Sequence, residues 1–348
     1  MRFLLRWMRR LVLLIVVVAI CLVAPIIYVE TSCKGTAQFQ PYDALLPPEH
    51  HRPETRTLMT YPEWHIVHAY EDYAQVLRQG DPHDYGFWQG ITGFWSSLCA
   101  LSQSASAHGE VDAGTKQMIY VIGTSFTVEL ALKAAYEETL GRLFTALRGP
   151  QRAPLDDLSA QQAAEYAQFL QQVPWYKWPF AENAQDLLSE SSGSLRDSER
   201  AIALGFENTV KDGYAGFIEQ AVAQVGTDEL TLRMIITAPE TLPAYPDVQV
   251  IGSRPEGTEI ETPRYRELTN LLADMARDGV DLVEIAGNDD IMFTALSDQP
   301  TEEDAIFSAP RQGFDDYRHL LVVKVPQLAE RLRQLDGSGL TLEHIHDY

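Results

Sequence analysis

The stretch TYPEWHIVHAYEDYA holds the residues with the clearest capacity for chemistry. On a helix advancing about 100° per residue, His65, His68 and Asp72 fall within about 60° of one another. They lie away from the apolar stripe of Ile66, Val67, Tyr70, Tyr73, Ala74 and Leu77. Two imidazoles and a carboxylate one turn apart are a donor set for a divalent metal, and an open fourth position would support hydrolysis. The same three residues also make the ordinary polar face of an amphipathic helix, which needs no ion. Glu63 is accounted for separately, as the capping-box partner of Thr60.

Glu129 and Lys133 form a second candidate pair, because they share a helix face with Met118, Ile122, Tyr136 and Leu140. Ionisable groups among apolar side chains are costly unless paired, and glutamate four residues before lysine is the favourable order. Such a pair either tunes a catalytic pKa or serves as a structural salt bridge, and Glu137 extends the ladder without a function of its own. Trp175, Tyr176, Lys177 and Trp178 between two prolines suit an interfacial foot, a stacking platform or a packed elbow. Gly287, Asn288, Asp289 and Asp290 read as a hairpin turn rich in oxygen donors, without the spacing of a calcium loop. At the end of the chain, strand alternation puts His344, His346 and Tyr348 on one face with Leu342, compatible with a metal or with a plain edge strand.

These residues follow a membrane anchor. Residues 11–29 carry no charge, and nineteen residues in a helix reach about 28 Å, close to the roughly 30 Å of bilayer hydrocarbon. Arg2, Arg6, Arg9 and Arg10 precede the stretch, so the short N-terminus is expected in the cytoplasm and the rest across the bilayer. A cleaved signal peptide is disfavoured by Pro25 directly after Ala24 and by the bulky residues that follow, and a lipoprotein at Cys33 by Glu30 three residues before it. The formal net charge is −22, and removing the first thirty residues leaves −25. A field of that sign repels phosphate backbones and argues against nucleic-acid partners. Cys33 and Cys99 share an oxidising compartment in this topology, where a disulfide is permitted and two free thiols are the alternative.

Beyond the anchor (residues 1–30), a polar proline-bearing stretch at 31–59 reads as a stalk or a strap over the first domain. Residues 60–226 carry five helical patterns joined by short loops, an all-α bundle. They start at Thr60, run through FWQGITGFWSSLCALSQ, extend from about 115 to 148, restart at Ser159 with Gln162, and cover roughly 195–225. From 227 to 348 the period changes to that of strands, at LTLRMIITA, DVQVIG, VDLVEIA, IMFTALS, HLLVVKV and LTLEHIH, with two helices between them. That order suggests a ferredoxin-like α+β sandwich with an extra hairpin, in which the two strand-helix-strand stretches are pseudo-equivalent.

The segments TYPEWHIVHAYEDYA, GTSFTVELALKAAYEETLGRL and YAQFLQQVPWYKWPF span about residues 60–180. They resemble an uncharacterised family of bacterial inner-membrane-anchored proteins with a single N-terminal span. The resemblance implies a bacterial origin and a periplasmic location, and brings no activity or binding residue with it. Dinucleotide and phosphate-loop motifs, His-Glu-x-x-His, Gly-x-Ser-x-Gly and Cys-x-x-Cys are all missing from the sequence. The expectation is a non-enzymatic binding or assembly module of the cell envelope with an envelope protein partner. The alternatives are a metal-dependent enzyme at His65, His68 and Asp72, and a ligand sensor in the C-terminal domain.

Overall fold

A computed structural model describes the chain apart from residues 1, 37, 38, 40, 223–229, 238–244 and 348, so Tyr348 and the domain boundary expected at 226 lie outside the described residues. Helix α1, Arg2–Ser32, is exposed along its uncharged stretch and is long and apolar enough to cross a membrane. Its last turns behave differently. Val29 and Cys33 are buried in the bundle core, Ile26 packs beside them, and Cys33 is bonded to Cys99. Glu30 accepts from Lys116 Nζ at 3.1 Å and from Tyr120 Oη at 2.5 Å. A covalent bond, an ion pair and apolar packing therefore fix the C-terminal end of α1 to the folded part.

The proline-bearing segment is a strap: Gly35 lies against Gln103 and Ser106 of the helical region, and the stretch from Tyr42 onward crosses the C-terminal half. Glu284 is fully buried there and accepts from Tyr42 Oη at 2.9 Å and from the backbone N–H groups of Leu45 and Leu46 at 2.6 and 2.8 Å. A carboxylate taken out of water needs such donors, and the strap supplies them.

The helices that follow are α2 (Glu54–Gln79), α3 (Phe87–Ala105), α4 (Ala113–Tyr136), α5 (Arg142–Arg148), α6 (Pro154–Leu170), α7 (Phe180–Ser189) and α8 (Leu195–Val222). A π-helical turn, Glu137–Gly141, makes α4 and α5 one continuous rod. Two expected starts are corrected. Helix α2 begins at Glu54 after Pro53, which leaves Thr60 and Glu63 inside it; the Thr60 side chain is outside the description. Helix α6 begins at Pro154, so Ser159 and Gln162 sit in its interior, bonded to Asp156 O and Asn183 O. In both cases a proline at or just before the first turn outcompetes the polar pair as the start signal.

The C-terminal half contains β1 (Thr231–Thr237), β2 (Gln249–Arg254), β3 (Gly257–Pro263), α9 (Tyr265–Arg277), β4 (Asp281–Ile285), β5 (Asp290–Ser297), β6 (Ala305–Pro310), β7 (Tyr317–Lys324), α10 (Val325–Ser338) and β8 (Thr341–His346). In place of one ferredoxin-like sheet there are two antiparallel four-stranded sheets, ordered β2-β3-β1-β4 and β6-β7-β5-β8. Each follows the plan strand-strand-strand-helix-strand with the same internal order, so the half is two copies of one topology. Strand β3 escapes sequence reading because GTEIETP is half polar: Glu259 and Glu261 pair with Arg233 of β1 across the sheet. Residues 287–290 do not close a hairpin, since β4 and β5 belong to different sheets; Asp289 and Asp290 there hold Lys324 Nζ at 2.9 and 2.7 Å.

Helices α9 and α10 share one core with both sheets, through Leu272, Ile285, Phe293 and Leu328 among others. The other face of the second sheet, with Met292 and Leu320, packs on the helical region beside Tyr61 and Leu58. Helix α2 is therefore enclosed on several sides, which governs the fate of its polar residues.

Candidate functional site

The three predicted metal ligands on α2 do not converge. His65 turns toward α3, where Nε2 lies 3.1 Å from Gly90 O and the ring meets Phe94 and Phe126 edge-on. Asp72 accepts from the Gln312 N–H at 2.9 Å, and burial pushes its carboxyl up to about 7. His68 alone reaches an ion-sized group. Its Nδ1 is 3.7 Å from Glu71 and its Nε2 3.8 Å from Glu343 of β8. A face defined by helix period is shared along the helix, but α3 and the second sheet claim different parts of it.

Burial pushes the His65 imidazole down to about 4 from an ordinary 6.5. Stability is complete above about 6.5, where the ring is neutral folded and unfolded, and is lost as pH falls toward 4 because the unfolded chain takes up the proton first. Burial depresses His344 and His346 in the same direction. Urea melts between pH 7 and 4 should therefore show stability falling with acid, and His65→Gln should remove up to about 1.4 kcal/mol per pH unit of that slope. An unchanged slope in the variant would mean that His65 takes up its proton at the same pH folded and unfolded.

Glu343 and Glu71 were not anticipated. The pairing of β8 with β5 steps from Thr294↔His344 to Ala295↔Leu342, leaving Glu343 as the extra residue of a bulge. Bulges re-aim side chains, so Glu343 faces α2 together with its neighbour His344, whose ring lies 3.8 Å from that of Trp64. Strict strand alternation conceals this. Arg318 of β7 grips Glu343 with two bonds of 2.6 and 2.7 Å, and Arg311 reaches Glu71 at 3.3 Å. Burial alone would raise the Glu343 carboxyl, but Arg318 outweighs it and holds the group well below the usual range. The one available sequence signal for Glu71 was its i,i+3 spacing from His68.

Glu129 and Lys133 are not bonded to each other as expected. Each reaches across to α8: Glu129 to Lys211 at 2.6 Å, and Lys133 to Glu207 at 2.9 Å. Lys211 and Glu207 are themselves 2.9 Å apart, and Tyr70 Oη donates to Glu129 at 2.5 Å. Burial would raise Glu207, yet the two ammonium groups hold its carboxyl far below the ordinary range. The adjoining cavity, lined by Tyr70, Tyr73 and Lys133, is about 10 Å³, room for one water and no substrate. Glu137 leaves this ladder for Arg200, at 2.8 Å. The Trp175–Lys177 elbow packs its rings inward, with Trp175 stacked on Tyr214 and Trp178 against Tyr166 and Phe169.

These ladders leave α8 with an inverted pattern. Its charged Arg196, Arg200, Glu207 and Lys211 face the bundle, and Arg200 is wholly buried. Ile202, Phe206, Val210 and Phe217, within about 80° of one another on the helix, are 74, 71, 53 and 68% exposed. On the neighbouring rod Val121, Leu132, Leu143 and Leu147 are exposed too. The Ala113–Arg148 rod is itself apolar enough to pass as a membrane span, while Ile119, Phe126 and Leu130 on its other side belong to the bundle core. No protein-family model, curated protein or solved structure matches this chain.

Proposed function

We propose that the chain is a single-pass, membrane-anchored docking subunit of the bacterial envelope, non-enzymatic, with its folded part in the periplasm. One observation carries the reading: α8 turns Arg196, Arg200, Glu207 and Lys211 toward the bundle and leaves Ile202, Phe206, Val210 and Phe217 exposed, beside the apolar rod α4–α5. A helix patterned that way is complete only against another apolar surface. Its partner is a second envelope protein offering an apolar helical face, since a strongly acidic domain is repelled by anionic headgroups. The arginines before the apolar run support the orientation, and the Cys33–Cys99 bridge suits an oxidising compartment. The metal-dependent enzyme drawn from His65, His68 and Asp72 loses its basis, because those side chains go to different neighbours.

A photo-reactive residue at position 206, in the full chain in its own membrane, should give a discrete protein adduct, and one at exposed Glu165 should not. Combining Phe206→Ser with Phe217→Ser should cut co-purification of that adduct partner at least about tenfold, because buried aromatic anchors each contribute more than about 1 kcal/mol to an interface. The melting temperature should hold. Adducts to lipid only, or a monomer indifferent to both substitutions, would refute the docking face.

A further inference from the structure

We infer that His68, Glu71 and Glu343 hold a divalent first-row metal ion that clasps the helical region to the second sheet. One ring nitrogen and one oxygen from each carboxylate lie within 4.8 Å of one another. Among the described residues no other group of histidine, cysteine and acidic side chains is spaced in this way. Ligands bonded at about 2.1 Å around a tetrahedral ion stand about 3.4 Å apart. The gaps from His68 start from different ring nitrogens, Nδ1 to Glu71 at 3.7 Å and Nε2 to Glu343 at 3.8 Å, and both are too long for hydrogen bonds; an ion would take one of the two nitrogens, with the ring and the carboxylates closing on it.

A second observation points to a ligand at the same place. His68 is only 5% exposed, yet both ring nitrogens lack a hydrogen-bond partner among the described residues. The neighbouring His344 Nε2, both nitrogens of His346 and Asp72 Oδ1 are buried without one as well. Folded proteins rarely leave polar atoms unsatisfied in such a concentration, and a bound ion with its water accounts for it. Arg318 donates to both oxygens of Glu343 and lies 3.6 Å from Glu71 Oε2, and Arg311 reaches Glu71 Oε1 at 3.3 Å, so the ion would share these carboxylates with the two guanidinium groups. They also cancel charge, so moderate affinity is expected. One imidazole and two carboxylates suit Zn²⁺, Mn²⁺ or Fe²⁺ and not a soft ion. Glu71 and His68 come from α2 and Glu343 from β8, so the ion would bridge the two halves of the folded part.

The inference is independent of the docking face and is tested without it. Full-length protein in detergent, stripped by chelator and then dialysed against Zn²⁺ or Mn²⁺, should retain about one ion per chain by elemental analysis. Its melting temperature should rise with the ion. Glu343→Gln and His68→Asn should each weaken retention by more than the roughly 10- to 100-fold that an outer-shell change costs, and His65→Gln should retain the ion. Co²⁺ loaded in place of Zn²⁺ should give visible d–d bands without thiolate charge transfer, a readout in the native chain that does not depend on any variant folding. No stoichiometric ion in the native chain, or retention undiminished in folded Glu343→Gln, would overturn the inference.

Discussion

Arg200→Met is expected to lower the unfolding free energy of the full chain by about 3–5 kcal/mol, the cost of breaking a buried ion pair from one side. Arg200 is wholly buried, and its guanidinium holds Glu137 through two bonds of 2.8 and 3.2 Å and Glu199 at 3.0 Å. Glu199 keeps Arg196 at 2.9 Å, so the main loss falls on Glu137, 4% exposed and left without its cation. The π-helical turn makes the pair possible. It starts at Glu137 and ends at Gly141, where an added Cβ would come within 2.2 Å of the Glu137 carboxylate. Urea unfolding followed by circular dichroism measures the loss. Adding Glu137→Leu should recover most of it, since two matched apolar groups avoid the stranded charge. A cost below about 1 kcal/mol would show that water reaches the pair, against the 0% exposure of Arg200. The prediction bears on function, because these charged pairs turn α8 so that Ile202 and Phe206 face outward.

The second large effect is expected where α1 meets the helical region. Cys33→Ser, or reduction of the native chain, should cost about 4 kcal/mol, because the bridge closes a loop of 66 residues whose freedom in the unfolded chain it removes. Part of the hold on α1 should survive, since Glu30 still pairs with Lys116 at 3.1 Å and Val29 stays in the core. Denaturant melts with and without reductant give the difference, and a gap under about 1 kcal/mol would mean that the loop is already ordered when unfolded. Alkylation after acid quench in intact cells is expected to find the pair oxidised; a fully reduced pair would contradict the proposed periplasmic location.

Several elements were legible in the sequence because they depend on neighbours along the chain. The uncharged run behind four arginines, the apolar stripe of α2 and the apolar strands β1, β5 and β7 need only local composition and period. The six anticipated strands exist, while β3 and β6 were hidden, because the partly polar β3 is stabilised by Arg233 and Arg254 reaching its glutamates. The histidines of α2 were found, and their grouping was not. Period fixes which side chains share a helix face, but not that α3 takes His65 while β8 meets His68.

By itself, the order of residues determined the long apolar N-terminal helix, the change from helices to strands and the positions of the ionisable groups. Tertiary structure decided their partners: Lys211 rather than Lys133 for Glu129, the strap rather than solvent for Glu284, and a bulge that brings Glu343 to His68. The physical reason is range. Helix and strand periods follow from the chain's own few nearest residues, whereas a buried charge must be matched by whichever group the fold brings within about 3 Å of it, and that group is often a hundred or more residues away in sequence.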